Sequence, residues 1–147
     1  MKQILVATDG SPNGGYAVEQ ALELARAASA TVVILCVRHR PLPVLGDPFY
    51  QRSLSAESQR ACETSALALA RARAADVEAE VEVLEGGPAE RILELARLRD
   101  VDLIVVGSRG LGSMAGLLLG SVSREVVHHA DRPVLVATHR LARRRAA

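Results

Sequence analysis

Aromatic side chains are almost missing from this chain, which has no Trp and one Phe among its 147 residues. A core built on large rings is excluded, so the interior must be made of Val, Leu, Ile and Ala, a mixture suited to helices laid against a β-sheet. The same scarcity removes the stacking surfaces that nucleic-acid binding uses. A charge excess of one sign is lacking too. The formal net charge is +1, yet setting aside Arg140, Arg143, Arg144 and Arg145 leaves 14 basic against 17 acidic residues, a body near −3. Nucleic acid is therefore not an expected partner, and the basic end, residues 139–147, is expected to be a disordered, solubilising tail. Long apolar runs are also absent near the start: Met1-Lys2 leads into a stretch of about six residues, too short for a secretory core or a membrane span. A cytoplasmic protein with no membrane partner is expected. Of the two cysteines, neither Cys36 nor Cys62 has a second Cys or His at metal-ligand spacing, and both read as buried structural thiols.

What is present is an alternation of short β-branched runs with longer segments of helical period, the pattern of βαβ units and a parallel sheet. A chain of this length buries about 70% of its unfolded surface, enough for one domain over residues 1–138. Gln3 to Thr8 is apolar almost throughout, as a central strand covered on both faces should be. Ser11-Pro12 supplies a cap and a first-turn proline, and Val18, Ala21, Leu22 and Ala25 then form one helical stripe. Thr31 to Val37 reads as a second buried strand. Residues 38–54, with Pro41, Pro43, Gly46 and Pro48, read as a long loop of functional or mobile character. A helix is predicted from Ser55 to Ala75, and Val77 to Val83 alternates strictly, predicting an edge strand with one wet face. Gly86-Gly87-Pro88 starts a third helix carrying Ala89, Ile92, Leu93 and Ala96. Val101 to Val106 is a fourth buried strand, Val122, Val126 and Ala130 mark a fourth helix, and Val134 to Thr138 a last strand. The count is five strands and four helices with no linker.

Gly107, Gly110, Gly112, Gly116 and Gly120 place five of the eleven glycines within fourteen residues, directly after the fourth strand. Glycine lets backbone N–H groups approach a ligand without a Cβ in the way. Successive N–H groups and a helix N-terminus make an anion site, and Ser121 and Ser123 add hydroxyl donors, so phosphate is the ligand this arrangement suits. The connection is about thirteen residues long, against the usual 2–6 for a βα loop, which argues against an idle linker. Three phosphate motifs can be compared. The P-loop needs Gly-x-x-x-x-Gly-Lys-Ser/Thr, and the Lys is missing. A dinucleotide fingerprint fits Gly110-Leu-Gly112-Ser-Met-Ala115 poorly, because it is set off from its strand and no acid lies near Thr138 to hold a ribose. The third pattern is Gly107-x-x-Gly110, nine residues, then Gly120-Ser121.

With the opening Ile4 to Ser11, the run Ile104 to Gly110, the stretch Gly120 to Val127 and the closing Pro133 to Val136, that two-part spacing resembles the ATP-binding branch of the universal stress protein family over nearly the whole chain. The resemblance implies an α/β, Rossmann-like fold: a single open, doubly wound, five-stranded parallel sheet of order 3-2-1-4-5 with four helices. Its site would lie at the C-terminal ends of strands one and four, where open α/β sheets bind ligands at the reversal of strand order. It places Ala7, Thr8 and Asp9 at the ligand and the backbone of Val37 against adenine. Gly107, Arg109, Gly110, Gly120, Ser121, Val122 and Ser123 would hold ribose and phosphates. Asp9 can hold a magnesium ion shared with phosphates or can merely shape the Asp9-Gly10-Ser11-Pro12 turn. Arg109 can neutralise phosphate or lie in water, and Val37 on its own is a plain core residue. His128 and His129 point about 100° apart on a helix and read as C-terminal residues interacting with its dipole, not as a metal site.

ATP, with magnesium, is thus the expected cofactor, and the leading expectation is a stress-response protein whose nucleotide occupancy switches its contacts with a regulatory protein partner. The alternatives are a slow ATPase or phosphoryl or nucleotidyl transferase using Asp9 and Arg109, for which no positioned base is identifiable, and a ligand-free dimeric adaptor, against which the intact glycine pattern argues. A homodimer is expected through the last strand, Val134, Leu135, Val136 and Ala137, because an apolar edge strand is normally covered, and the family is similar in pairing this strand across a two-fold axis.

Overall fold

The computed structural model describes residues 1–42, 46–110 and 119–138. Strands and helices alternate: β1 (Gln3–Ala7), α1 (Pro12–Ala28), β2 (Thr31–Arg38), α2 (Phe49–Ala74), β3 (Ala79–Glu85), α3 (Pro88–Leu98), β4 (Leu103–Gly107), α4 (Ser121–His129) and β5 (Val134–Ala137). All pairings are parallel and the sheet order is β3-β2-β1-β4-β5, the order expected. β1 is central, with Ala7 level with Leu35 of β2 on one side and Val106 of β4 on the other.

The period of two in the central strands sorts their side chains between two cores. Ile4, Val6, Val32, Ile34 and Val105 face α1 and α2, while Leu5, Val33, Leu35, Ile104 and Val106 face α3 and α4. Helices built largely on Ala and Leu supply the opposing surfaces, through Ala17, Ala21, Ala25, Ala68 and Ala72 on one side and Ala89, Ile92, Leu95 and Ala96 on the other. The chain changes faces between α2 and α3. This is the step that makes strand order reverse between β1 and β4, and it opens a crevice at their C-terminal ends.

Several local features differ from the sequence reading. α2 begins at Phe49 instead of Ser55, so only residues 39–48 connect it to β2. The last breaker is Pro48, and Phe49 to Leu54 contain nothing that opposes a helix, so the helix extends back to the proline. β3 runs from Ala79 to Glu85, later than Val77 to Val83, because Asp76 takes a left-handed turn and Val77 is buried against the α1–α2 core. β3 is an edge strand as expected. Its acidic face is solvated at Glu80 and is also engaged by Arg99, which pairs with Glu80 at 2.8 Å and with Glu82. Cys36 is buried, and its Sγ accepts a hydrogen bond from Ser65 Oγ at 3.2 Å. Cys62 is exposed, contrary to expectation. The packed stripe of α2 is Ala61, Ser65, Ala68 and Ala72, and Cys62 stands one residue, about 100°, off it. Among the described residues no helix is long and apolar enough to cross a membrane.

Candidate functional site

The crevice is built by two turns and one helix start. The first turn follows β1. Ser11, buried, caps α1 by accepting from Gly14 N at 3.1 Å, and Pro12 opens the helix. Asp9 Oδ1 accepts from Ser11 N at 2.9 Å, so the carboxylate does shape this turn. Thr8 is buried, and its Oγ1 accepts from Gly10 N at 3.3 Å. Gly10 has a φ of +80°, which favours glycine, and a Cβ there would stand 2.8 Å from Thr64 Oγ1 of α2.

The second turn follows β4, and its four described residues play different parts. A Cβ on Gly107 would meet the Asn13 carbonyl carbon at 2.8 Å and the Gly14 nitrogen at 3.0 Å, so this glycine lets β4 pass close beneath the first turn of α1. Ser108, buried, donates its N–H to Ala137 O at 2.8 Å and accepts from Gly120 N at 2.7 Å through its carbonyl. Arg109 is half-buried. A Cβ on Gly110 would lie 2.5 Å from Asp9 Oδ2, which places the two turns against each other across the crevice. Leu111 to Leu118, and with them Gly112 and Gly116, lie outside the described residues.

α4 then starts at Ser121, and its cap residue, Gly120, makes no side-chain bond to the first turn. The first turn of α4, with its partial positive charge, thus lacks the cap side chain that Ser11 gives α1, and it begins beside the β4 turn, where Gly120 N bonds Ser108 O. Ser121 is exposed, Val122 half-buried and Ser123 buried. Ser123 Oγ donates to Ser108 O at 3.0 Å and to Gly120 O at 3.1 Å, so its proton holds the β4 turn to the helix. Ala7 and Val37, at the ends of β1 and β2, are half-buried on the α3–α4 side of the sheet. The contacts above connect Asp9 with Gly110, and Ser108 with Gly120 and Ser123, while Val37 joins the group through the position of β2 beside β1.

Sequence reasoning missed Ser108, Asn13 and Thr64. Ser108 stands inside the motif and acts through its carbonyl, and the other two arrive from helices that no spacing connects to the glycines. It also missed a rim beyond Val37, where Arg38 donates to Ser58 Oγ at 2.8 Å and pairs with Glu85 at 3.5 Å, and Arg40 pairs with Glu85 at 3.7 Å. His128 and His129 occupy the last turn of α4, away from the crevice, with His129 Nδ1 3.0 Å from Glu125 O. Among the described residues no group of three or more His, Cys, Asp or Glu could hold a metal.

The sequence profile of the universal stress protein family matches residues 1–138. The chain belongs to that family. A universal stress protein of Thermus aquaticus is 39% identical over 136 residues, covering 92% of this chain and 97% of that one. Universal stress protein UspA from Lactobacillus plantarum superposes with a TM-score of 0.80 at 29% identity, covering 92% of this chain and 97% of that one. A universal stress protein solved in complex with cAMP gives 0.73 at 31%, covering 92% and 96%. The universal stress protein of Archaeoglobus fulgidus solved in complex with dAMP gives 0.67 at 25%, covering 93% and 98%. Membership makes this chain a stress-response protein with the family's doubly wound fold.

Proposed function

We propose that the crevice between β1 and β4 binds ATP with magnesium, and that occupancy acts as a switch for contacts with a regulatory protein in the cytoplasm. The observation that carries the reading is the convergence of the Asp9 turn and Gly110 on an α4 N-terminus whose cap is a glycine, at the point where strand order reverses. The adenine nucleotides in the two family members solved as complexes support an adenine ligand here. Val37 and Ala7 would flank the base, Gly110, Ser121 and Val122 would offer N–H groups to phosphate, and Arg109 would add charge. Gly107, Gly120 and Ser123 would keep those groups in place. The donor set suits magnesium only in part, because Asp9 is the one carboxylate among these residues. Phosphate oxygens and water would complete the shell, and the ion would neutralise phosphate charge. Titration calorimetry on nucleotide-free protein should give a dissociation constant for ATP on the order of 10 μM with magnesium. Asp9→Ala should remove the magnesium dependence. Absence of binding at millimolar ATP with magnesium would overturn the reading.

A second element of the proposal is assembly through β5. Pro133 O and Ala137 O accept from β4, so by alternation the backbone of Val134 and Val136 faces outward along an apolar edge. The opposite edge, β3, carries Glu80 and Glu82, which discourage pairing there, whereas β5 carries no such guard. A two-fold pairing of β5 strands would cover the unguarded edge.

A further inference from the structure

On the face of the sheet away from α3 and α4, α1 and α2 enclose an open cleft of about 390 Å³. Its inner end is the back of the turn that carries Asp9, through Thr8, Gly10 and Ser11, with Thr64 opposite. Its floor is apolar, with Val18 and Ala68 buried, and its rim carries Leu67, 58% exposed, beside Glu19, Glu63 and Arg71. We infer that this cleft is a second binding site, for a small aliphatic amine whose ammonium group meets Glu63 while its hydrocarbon body lies along Leu67 and Ala68.

The choice of ligand class follows from the charges of the lining, which holds two carboxylates, Glu19 and Glu63, against one guanidinium. Arg71, the one cation of the lining, is committed to Gly15 O at 3.1 Å and to Glu19 at 3.4 Å. That pairing neutralises Glu19 and leaves Glu63 as the carboxylate without an ion pair among the described residues. Glu63 Oε1 accepts one bond from Gln59 Nε2 at 2.9 Å, which leaves acceptor capacity on the carboxylate. An anionic ligand would face that carboxylate with no free cation to offset it. An ammonium group supplies three donors, and a short methylene chain matches the Leu67 side of the cleft.

An occupant would bear on the Asp9 turn from behind. Thr64 Oγ1 stands 2.8 Å from where a Gly10 Cβ would be, so α2 and this turn are already in close contact and share the cleft wall. Gly10 directly follows Asp9, whose carboxylate faces Gly110 across the other side.

The test uses the full chain without nucleotide, so its outcome is independent of what the crevice binds. 1,5-Diaminopentane is titrated at low ionic strength and followed by calorimetry and backbone amide NMR. The expected result is saturable binding with a dissociation constant on the order of 1 mM. Shifts should centre on Gly10, Gly15, Thr64 and Leu67 and extend to Asp9. Glu63→Gln should weaken binding about tenfold or more, Glu78→Gln, at an exposed acid elsewhere, should not change it, and 1,5-pentanediol should not bind. The inference is overturned by shifts spread over the acidic surface, by equal affinity of wild type and Glu63→Gln, or by no saturation at about 20 mM.

Discussion

Gly107 and Gly110 belong to one motif, yet the space around them assigns them different work. A methyl group on Gly107 would press on the backbone of Asn13 and Gly14, which cannot rotate away, so Gly107→Ala should destabilise the fold by about 1–3 kcal/mol. Among the described residues, a methyl group on Gly110 would meet the end of the Asp9 side chain, which can turn aside. Gly110→Ala should leave the melting temperature nearly unchanged while lowering ATP affinity about tenfold. Thermal unfolding and calorimetry on the two variants check this separation, and equal effects on both readouts would remove it. A second residue-scale consequence concerns acid. Asp102 Oδ2 accepts from Lys2 N at 2.5 Å and from Gln3 N at 2.9 Å, tying the start of β1 to β4. These backbone donors, helped by the N-terminal charge, hold the Asp102 carboxyl below its ordinary value. A pKa lowered by folding contributes stability that is full above the unfolded value, near pH 4, and is lost as pH falls through the folded value. Denaturant unfolding from pH 7 to pH 2 should therefore show the gap between wild type and Asp102→Ala narrowing only in acid.

At the scale of elements, the joint between α3, β4 and β5 depends on one side chain. Arg132 is 14% exposed and donates through Nη1 to Ala96 O and Val101 O, both at 2.8 Å, while its Nε holds Asp131. It supplies the C-terminal carbonyls of α3 with a charged donor as the chain enters β5. Arg132→Ala should cost about 2–3 kcal/mol in denaturant unfolding, and Arg132→Lys should recover only part, because an ammonium can reach the two carbonyls but has no Nε–H to hold Asp131. Such a contact has no trace in the sequence, where Arg132 only precedes a proline. The elements themselves were legible, because Ile4 to Val6 and Val32 to Leu35 are continuous apolar runs, and Val18, Ala21, Leu22 and Ala25 mark one helical stripe. Boundaries failed where propensity outlasted punctuation, as at Phe49, or where a turn consumed strand-like residues, as at Val77. In the crevice, the residues near one another in sequence were found by their spacing. Thr64 and Asn13 were not, because they reach it through helix packing, and the uniform pattern of glycines concealed that Gly107 serves packing.

For the whole molecule, the two open edges of the sheet decide how copies of the chain can meet. β3 presents Glu80 and Glu82 on one face, engaged by Arg99, and pairing two such strands would bring like charges together. β5 is four apolar residues, Val134 to Ala137, and its outward N–H groups belong to Val134 and Val136. A dimer formed there would carry the two crevices on a shared sheet, since Gly107 lies level with Ala137 in the β4–β5 register and Ser108 bonds to the same residue. A change in the Asp9–Gly110 region on nucleotide binding would then reach the neighbouring copy through β5, which is how occupancy could alter a partner surface. Val136→Pro removes an outward N–H while sparing the inward bonds of Pro133 and Ala137, a substitution that edge strands tolerate. Sedimentation should show a dimer for the wild type and a monomer for Val136→Pro, with circular dichroism unchanged. A wild type that stays monomeric at micromolar concentration would exclude assembly through this edge, and any switching would then have to occur within one chain.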